Sequence, residues 1–232
     1  MGEAVMINIL HNTFNIDEDW CFKAYRNYIK AGDKVVIVAF SFREERVRNQ
    51  EDWLSCYGRA NGKYYSGMVD AFKRYSIAES DITWVNYFED SVEESQRKIS
   101  EADIVYFPGG LPDKMMERLY EKELVDLIKR HDGLVMGFSA GALIQLSEYH
   151  LTADEDYDEF CYHKGLSLVQ DFYFEVHYEG SQEQNESILR VLLEKKKDVY
   201  AVGDKGALIL ADKQVQLVGD VRYFSQKVPG TI

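Results

Sequence analysis

The feature that most constrains this chain is a strand–helix–strand pattern that ends in a serine between two glycines. The apolar run Ile104–Phe107 stops at Pro108-Gly109-Gly110, and apolar residues then recur at helical spacing from Asp113 to His131. A second apolar run, Leu134-Val135-Met136, leads directly into Gly137-Phe138-Ser139-Ala140-Gly141. Two strands joined by a helical crossover are typical of a parallel sheet, so this block predicts the centre of an α/β fold.

The G-x-S-x-G segment has a mechanical meaning at the end of a strand. It places the serine on a sharp strand-to-helix turn with strained backbone angles. Gly137 and Gly141 let neighbouring chain pass without Cβ clashes, so we expect the Ser139 hydroxyl to be exposed. A helix that begins at Ala140 points free N–H groups at that hydroxyl. The pattern favours a nucleophilic serine over a Gly-rich turn that merely buries one.

The rest of the chain alternates between predicted strands and helices. Before the central block, strands are predicted at Val5–Leu10, Val35–Phe40 and Ile82–Phe88, helices at Asp17–Ala31, Gly62–Tyr75 and Ser91–Ala102, and an exposed loop or helix from Arg43 to Asp52. After it come an extended run Leu166–Tyr178, a helix Ser181–Lys195, and short strands at Val199–Gly203, Ala207–Ala211 and Val215–Val218. This order predicts one α/β domain over residues 1–232. Its sheet is mainly parallel and flanked by helices on both faces, with a small antiparallel addition near the C-terminus.

Charge and composition exclude several classes of partner. The net charge of −13, from 40 acidic and 27 basic residues, disfavours nucleic acid. No apolar run reaches bilayer length and the N-terminus lacks a signal-peptide pattern, so we expect a cytoplasmic protein without a membrane partner, as a monomer or homodimer. The cysteines and histidines do not cluster in sequence, so no metal and no cofactor is expected.

A nucleophilic serine needs a base, and His177 is the best placed of the five histidines. It ends the extended run Phe172–Val176, where a strand meets a loop. The other four are expected to be exposed or to cap helix dipoles: His11, His131, His150 and His163.

The base in turn needs an acid to orient it. The loop Thr152–Asp156 supplies three carboxylates between serine and histidine, from Asp154, Glu155 and Asp156. The order is then serine, acid, histidine, and the pattern alone leaves the choice among the three carboxylates open.

These residues together resemble the peptidase E family of cytoplasmic serine peptidases. The resemblance is carried by Gly137–Ala142, by the Pro108-Gly109-Gly110 turn and by Phe174–Tyr178, and it extends from Ile104 to about Ile188. Members are aspartyl dipeptidase-like enzymes, related to cyanophycinase, with the class I glutamine amidotransferase-like fold. The resemblance therefore implies a serine-type peptidase that cleaves small peptides through an acyl-enzyme.

The resemblance also implies a role for individual residues. Ser139 maps to the nucleophile, His177 to the base and Asp154 to the orienting acid, for which Asp156 and Glu148 are possible substitutes. The oxyanion hole of the family maps to the backbone N–H groups of Gly110 (or Gly109) and Ala140.

Departures from the family pattern bear on the substrate. Leu111 and Leu143 stand where the family usually has asparagine, and the stretch Gly180–Glu186 lacks the arginine that pairs with an N-terminal aspartate. The stretch after His177 offers carboxylates instead, and Glu179 and Glu183 suit a free α-amine or a basic side chain. We therefore expect neutral or basic first residues to be preferred over Asp, and Leu111 and Leu143 to contact substrate as well.

Three interpretations remain open from the sequence. A preference for Asp-X peptides would need an arginine from elsewhere, such as Arg43, Arg46 or Arg48. An α/β-hydrolase esterase also carries G-x-S-x-G, although it needs a longer excursion between Ser139 and His177. A non-catalytic amidotransferase-like domain that binds a small molecule would use neither residue for chemistry.

Overall fold

The computed structural model describes residues 6–212 and 214–225. Its main sheet contains the strands β1 (Ile7–His11), β2 (Val35–Ile37), β3 (Ile82–Trp84), β4 (Ile104–Phe107), β5 (Leu134–Phe138), β8 (Phe172–Glu175), β9 (Asp198–Ala211) and β10 (Gln214–Phe224). A separate antiparallel pair is formed by β6 (Glu148–Leu151) and β7 (Cys161–Lys164). The helices are α1 (Asp19–Tyr25), α2 (Gln50–Tyr57), α3 (Tyr65–Lys73), α4 (Val92–Ser100), α5 (Pro112–Glu121), α6 (Val125–Lys129), α7 (Ala140–Leu143) and α8 (Gln182–Glu194).

The strand order of the main sheet is β10-β9-β1-β5-β4-β2-β3, with β8 paired to β9. The pairs β1–β5, β5–β4, β4–β2 and β2–β3 are parallel, while β9 runs antiparallel to both β1 and β10. The predicted fold class, a mainly parallel sheet with an antiparallel addition near the C-terminus, is confirmed.

Both faces of the sheet are buried, which explains the continuous apolar runs of the central strands. Alternate residues of one strand enter different cores: Val105 and Phe107 face α4, α5 and α6, whereas Ile104 and Tyr106 face α1, α2 and α3. The helices therefore cover both faces, as the sequence predicts. The last helix, α8, packs through Ile188 on β8 and β9.

Some predicted boundaries are wrong for identifiable reasons. The single helix predicted from Asp113 to His131 is broken between α5 and α6, where Glu123 adopts a φ of +54°. The apolar spacing continues across the break because both helices bury side chains on the same core. Helix α2 begins after the N-cap Asn49, whose side chain accepts a hydrogen bond from Asp52 N. The polar stretch Arg43–Asp52, predicted as an exposed loop or helix, therefore contains a loop followed by the first turn of α2. Val5 of the predicted first strand lies outside the described residues.

The C-terminal meander has fewer and longer strands than predicted. The runs Val199–Gly203 and Ala207–Ala211 belong to one strand, β9, which continues through Gly203 and Gly206. A Cβ at Gly206 would overlap the backbone carbonyl of Asp220 on β10. Glycine marks a close approach of two strands here, and the sequence alone does not distinguish that from a turn.

No helix within residues 6–212 and 214–225 is both long enough and apolar enough to cross a bilayer.

Candidate active site

Ser139 lies on a sharp turn between β5 and α7, with φ +51° and ψ −115°. The flanking glycines allow the turn, because a Cβ at Gly137 would lie 2.5 Å from the Gly141 carbonyl oxygen and a Cβ at Gly141 would overlap the carbonyl of Phe107. The Ser139 N–H donates to His11 O at 3.0 Å. The geometry is that of the strained strand-to-helix turn expected from G-x-S-x-G.

The structure brings Ser139 and His177 together from separate strands. His177 follows β8, and its Nε2 lies 3.0 Å from Ser139 Oγ. Its backbone is also in the left-handed region, with φ +51°, and its N–H donates to Asn12 Oδ1 at 2.8 Å. Since Asn12 follows β1, which pairs with β5, this bond ties the histidine to the strand next to the serine.

Partial desolvation controls the charge state of His177, whose ring still reaches solvent. This desolvation lowers the pKa of the imidazole below its ordinary value of 6.5, and four carboxylates raise that pKa in the order Asp204, Asp154, Glu175 and Glu179. The lowering prevails, so the ring is neutral near pH 7. A neutral ring hydrogen-bonded to a hydroxyl can take its proton.

The predicted acid, Asp154, lies beside His177 on the segment between β6 and β7. Its Oδ1 accepts from the N–H groups of Asp156 at 2.7 Å and Tyr157 at 3.0 Å. Among the described residues no carboxylate is hydrogen-bonded to the His177 ring. The position of Asp154 suits an orienting acid, although its Oδ1 already accepts two hydrogen bonds within its own turn.

The substitutes for Asp154 have other partners. Asp156 forms an ion pair with Arg43. Glu148 pairs with Lys195 Nζ at 2.6 Å and accepts from the Tyr173 hydroxyl. Neither carboxylate is among those that act on the pKa of His177.

A second acid, Asp204 on β9, was missed from the sequence. Asn12 Nδ2 donates to Asp204 Oδ1 at 3.1 Å, so one buried amide links this carboxylate to the backbone of His177. Asp204 also raises the pKa of His177 more than Asp154 does. The available signal was the polar interruption Gly203–Gly206 within an apolar run, but Asp204 follows the histidine and so falls outside the order serine, acid, histidine.

The Gly109–Gly110 turn lies against the nucleophile, since a Cβ at Gly109 would come within 3.3 Å of Ser139 Cβ. Gly110 has φ +137° and no room for a side chain beside the Ser41 carbonyl. Within the described part of the chain the N–H groups of Gly110 and Ala140 donate to no protein acceptor. Two free donors near one hydroxyl could stabilise an oxyanion.

Two pockets of different character flank the serine. The aromatic pocket, about 340 Å³, is bounded by Gly109 and Gly110 and is lined by Phe14, Ser41, Phe42, Arg43, Arg46, Val47, Cys56, Tyr57, Lys63, Tyr64, Gly67, Met68, Pro108 and Phe138. The acidic pocket, about 330 Å³, adjoins His177 and is lined by carboxylates and other groups that include Asp154, Glu175, Glu179, Glu183 and Leu143.

The structure therefore brings most of the predicted substrate residues together, on the histidine side. Leu111 is the exception, because it lines neither pocket and is the N-cap residue of α5. Of the arginines considered, Arg43 and Arg46 line the aromatic pocket, whereas Arg48 pairs with Asp52 at 2.9 Å.

Two histidines expected to be exposed or to cap helix dipoles are buried instead. His150 lies on β6 with its Nε2 2.5 Å from Glu175 Oε2. His11 is completely buried, and burial lowers its pKa to about 4. Its Nδ1–H donates to the Thr13 carbonyl at 2.6 Å. Both histidines lie in strands, His11 at the end of β1 and His150 within β6.

Comparisons with known proteins identify the family and the fold. The model of peptidase family S51 matches residues 58–218. The structure is similar to that of a candidate peptidase E from Listeria monocytogenes EGD-e, with a TM-score of 0.64 and 17% identity over 91% of this chain and 97% of that one. It is also similar to a peptidase from an acI-B1 Actinobacterium, with a TM-score of 0.64 and 14% identity over 99% of this chain and 94% of that one.

A search of curated proteins finds no match. The two structural likenesses establish the fold, and the family model covers well over half of the sequence. The α/β-hydrolase alternative is accordingly set aside. The chain belongs to peptidase family S51.

Proposed function

We propose that this chain is a serine-type peptidase that cleaves small peptides through an acyl-enzyme. The observation that carries the proposal is the 3.0 Å contact between Ser139 Oγ and His177 Nε2, made by a serine on a strained turn. A neutral imidazole at that distance is a competent general base.

The geometry supports a two-stage reaction. Ser139 Oγ attacks the peptide carbonyl carbon while His177 Nε2 takes its proton, and the N–H groups of Gly110 and Ala140 donate to the oxyanion. The intermediate collapses when His177 returns the proton to the departing amine. Water then attacks the ester carbonyl, His177 again takes a proton, and Ser139 leaves as the alcohol.

Substitution of the pair tests this mechanism. Ser139→Ala and His177→Ala should each lower kcat by about 10⁴-fold, because removal of a triad member generally costs that much. A small fluorophosphonate should label the wild-type protein at Ser139. Ser66→Ala, an exposed serine on α3, is the matched control and should keep full activity. Near-normal turnover by either the Ser139 or the His177 variant would refute the assignment.

The orienting acid is either Asp154 or Asp204, and the two can be separated. The family resemblance supports Asp154, whereas the Asn12 bridge and the effect on His177 support Asp204. Asp154→Asn and Asp204→Asn keep the size of each side chain and remove its charge. The variant with the larger loss of kcat identifies the acid, and wild-type activity in both would exclude a triad.

We further propose that the acidic pocket receives a positively charged group of the peptide. Glu179 and Glu183 line it together with Asp154, so a free α-amine or a basic side chain would find paired charge there. A panel of dipeptides should show neutral or basic first residues preferred over Asp. Glu183→Gln should reduce the preference for neutral or basic first residues over Asp. Glu186→Gln, on the same helix but outside the pocket, should leave that preference unchanged.

A further inference from the structure

We infer that the aromatic pocket beside Gly110 receives the residue that leaves, with a large apolar side chain among the rings and its α-carboxylate against Arg46 and Lys63. This inference rests on the proposed peptidase activity and adds to it the class of the leaving residue. The first residue of the peptide then lies on the His177 side, in the acidic pocket, and the second residue lies in the aromatic pocket.

The two pockets that flank Ser139 carry opposite charges. Within the described part of the chain, the aromatic pocket is lined by lysine and arginine but by no carboxylate, although the net charge of the protein is −13. The acidic pocket is lined by carboxylates but by no lysine or arginine of the described residues. A short peptide has an ammonium group at one end and a carboxylate at the other, so the two pockets match both ends in one orientation only.

Arg46 and Lys63 are available to bind a carboxylate. Both side chains are exposed, and neither forms an ion pair with any acidic side chain in residues 6–212 and 214–225. Lys63 Nζ lies 5.0 Å from the centre of the Tyr64 ring, so a cation–π contact holds this ammonium group at the wall of the pocket. The third cation of the pocket, Arg43, is already paired with Asp156.

The size and walls of the pocket suit a large apolar side chain. An apolar cavity of about 150 Å³ is enough to hold benzene, so about 340 Å³ accommodates an aromatic ring. Phe14 and Tyr64 remain 46% and 39% exposed, so apolar surface is available for a ligand to cover. Tyr57 and Phe138 provide further faces and edges for aromatic packing.

This orientation keeps the leaving nitrogen beside His177. A Cβ at Gly109 would lie 3.3 Å from Ser139 Cβ, and His177 Nε2 lies 3.0 Å from Ser139 Oγ, so a carbonyl carbon bonded to Oγ adjoins both pockets. The scissile nitrogen is bonded to that carbon and can receive its proton from Nε2. The side chain and carboxylate beyond this nitrogen extend past the Gly109–Gly110 turn, while the α-amine of the first residue extends into the acidic pocket.

Binding to an inactive variant tests the inference separately from the chemistry. Ser139→Ala is titrated by calorimetry with Ala-Phe, Ala-Gly, Phe-Ala and Ala-Phe amide, and the wild type is assayed for hydrolysis of the same peptides. Ala-Phe should bind about 10-fold or more tightly than Ala-Gly and Phe-Ala, as expected for the burial of one large apolar side chain. Ala-Phe amide lacks the carboxylate and should bind about 5-fold more weakly than Ala-Phe.

Two variants of the walls, made in the Ser139→Ala background, locate the effect of the ring. Gly67→Leu fills the pocket from α3, where a Cβ makes only an ordinary 3.8 Å contact with Phe14. It should reduce the preference for Ala-Phe over Ala-Gly by about 10-fold, and Phe14→Ala, which removes one ring, by about 3-fold. Tyr120→Ala, at a 59% exposed tyrosine outside both pockets, is the matched control.

A third variant in the same background locates the effect of the carboxylate. Arg46→Gln combined with Lys63→Gln should abolish the preference for Ala-Phe over its amide, because Arg43 is held by Asp156. Arg130→Gln, at an exposed arginine outside both pockets, is the matched control and should keep the preference.

Equal or unmeasurable affinity for all four peptides overturns the inference, and so does tighter binding of Phe-Ala than of Ala-Phe. An Ala-Phe preference that survives both wall variants also overturns it. If the combined Arg46 and Lys63 variant weakens Asp-Ala amide, whose only carboxylate is on the first side chain, the cations receive the first residue and the assignment is wrong. If Ser139→Ala shows the expected order but the wild type cleaves no peptide, the pocket assignment stands and the proposed peptidase activity fails.

Discussion

The strained turn at Ser139 makes a prediction about stability that is independent of any assay of activity. A residue with a Cβ at φ +51° and ψ −115° carries about 1–3 kcal/mol of strain, which glycine does not. Glycine in turn costs about 0.5–1 kcal/mol through the entropy of the unfolded chain. Ser139→Gly should therefore be more stable than Ser139→Ala, by up to about 2.5 kcal/mol. Both variants lack the nucleophile, so they differ only in backbone freedom and one methyl group.

The same pair of substitutions in a relaxed helix should give the opposite sign. Ser66 lies exposed within α3, where glycine is about 1 kcal/mol worse than alanine. Urea unfolding of all four variants at one pH gives the two differences in the free energy of unfolding. If Ser139→Gly is less stable than Ser139→Ala, as expected for the same pair at position 66, the turn at Ser139 is not strained. Its backbone then gives no support to a nucleophilic role for Ser139.

Three further predictions follow from the same geometry. The acid limb of kcat/KM should have its midpoint below pH 6.5, because desolvation lowers the pKa of His177 and activity is lost as the ring gains a proton. Since Asp204 raises that pKa, Asp204→Asn should move the acid limb of the pH–rate profile to still lower pH. Gly110→Val should lower kcat more than it raises KM, since the donor acts on charge that develops only in the transition state; a raised KM with unchanged kcat would place the turn in substrate binding. In the folded protein His11 has a pKa of about 4, against an ordinary value of 6.5. The free energy of unfolding should therefore fall as the pH drops from 6.5 to 4, by up to about 1.4 kcal/mol per pH unit. In urea unfolding, His11→Asn should show a weaker dependence of that free energy on pH.

The central block could be predicted from the sequence because its signals are local. The run Ile104–Phe107, the Gly109–Gly110 turn and the glycines around Ser139 each report on the conformation of their own segment. Alternating strands and helices then favour a parallel sheet, and both faces of that sheet are covered, as expected. The pairing of Ser139 with His177 could be predicted because His177 ends the extended run Phe172–Val176, where a strand meets a loop.

The remaining parts depend on which strands become neighbours. Asp204 acts on His177 only because β1 and β8 pair with successive parts of one strand, β9, so that Asn12 can bond to both residues. The aromatic pocket gathers Phe14, Tyr64 and Phe138 from three separate segments. No spacing in the chain encodes such contacts. The break at Glu123 was hidden for a related reason, since two short helices can bury the same apolar face as one long helix.

The acidic pocket links substrate charge to the charge state of the base. The negative charges of Asp204, Asp154 and Glu179 raise the pKa of His177 against the larger effect of burial. A positive group of the peptide bound beside these carboxylates would offset part of their influence, so the pKa of His177 should fall further in the complex. Because kcat reports the bound enzyme and kcat/KM the free enzyme, the acid limb of kcat should lie at lower pH than that of kcat/KM. The separation should be largest for substrates with a basic side chain and should shrink in Glu179→Gln. Coincident limbs for all substrates would show that no cation binds next to His177.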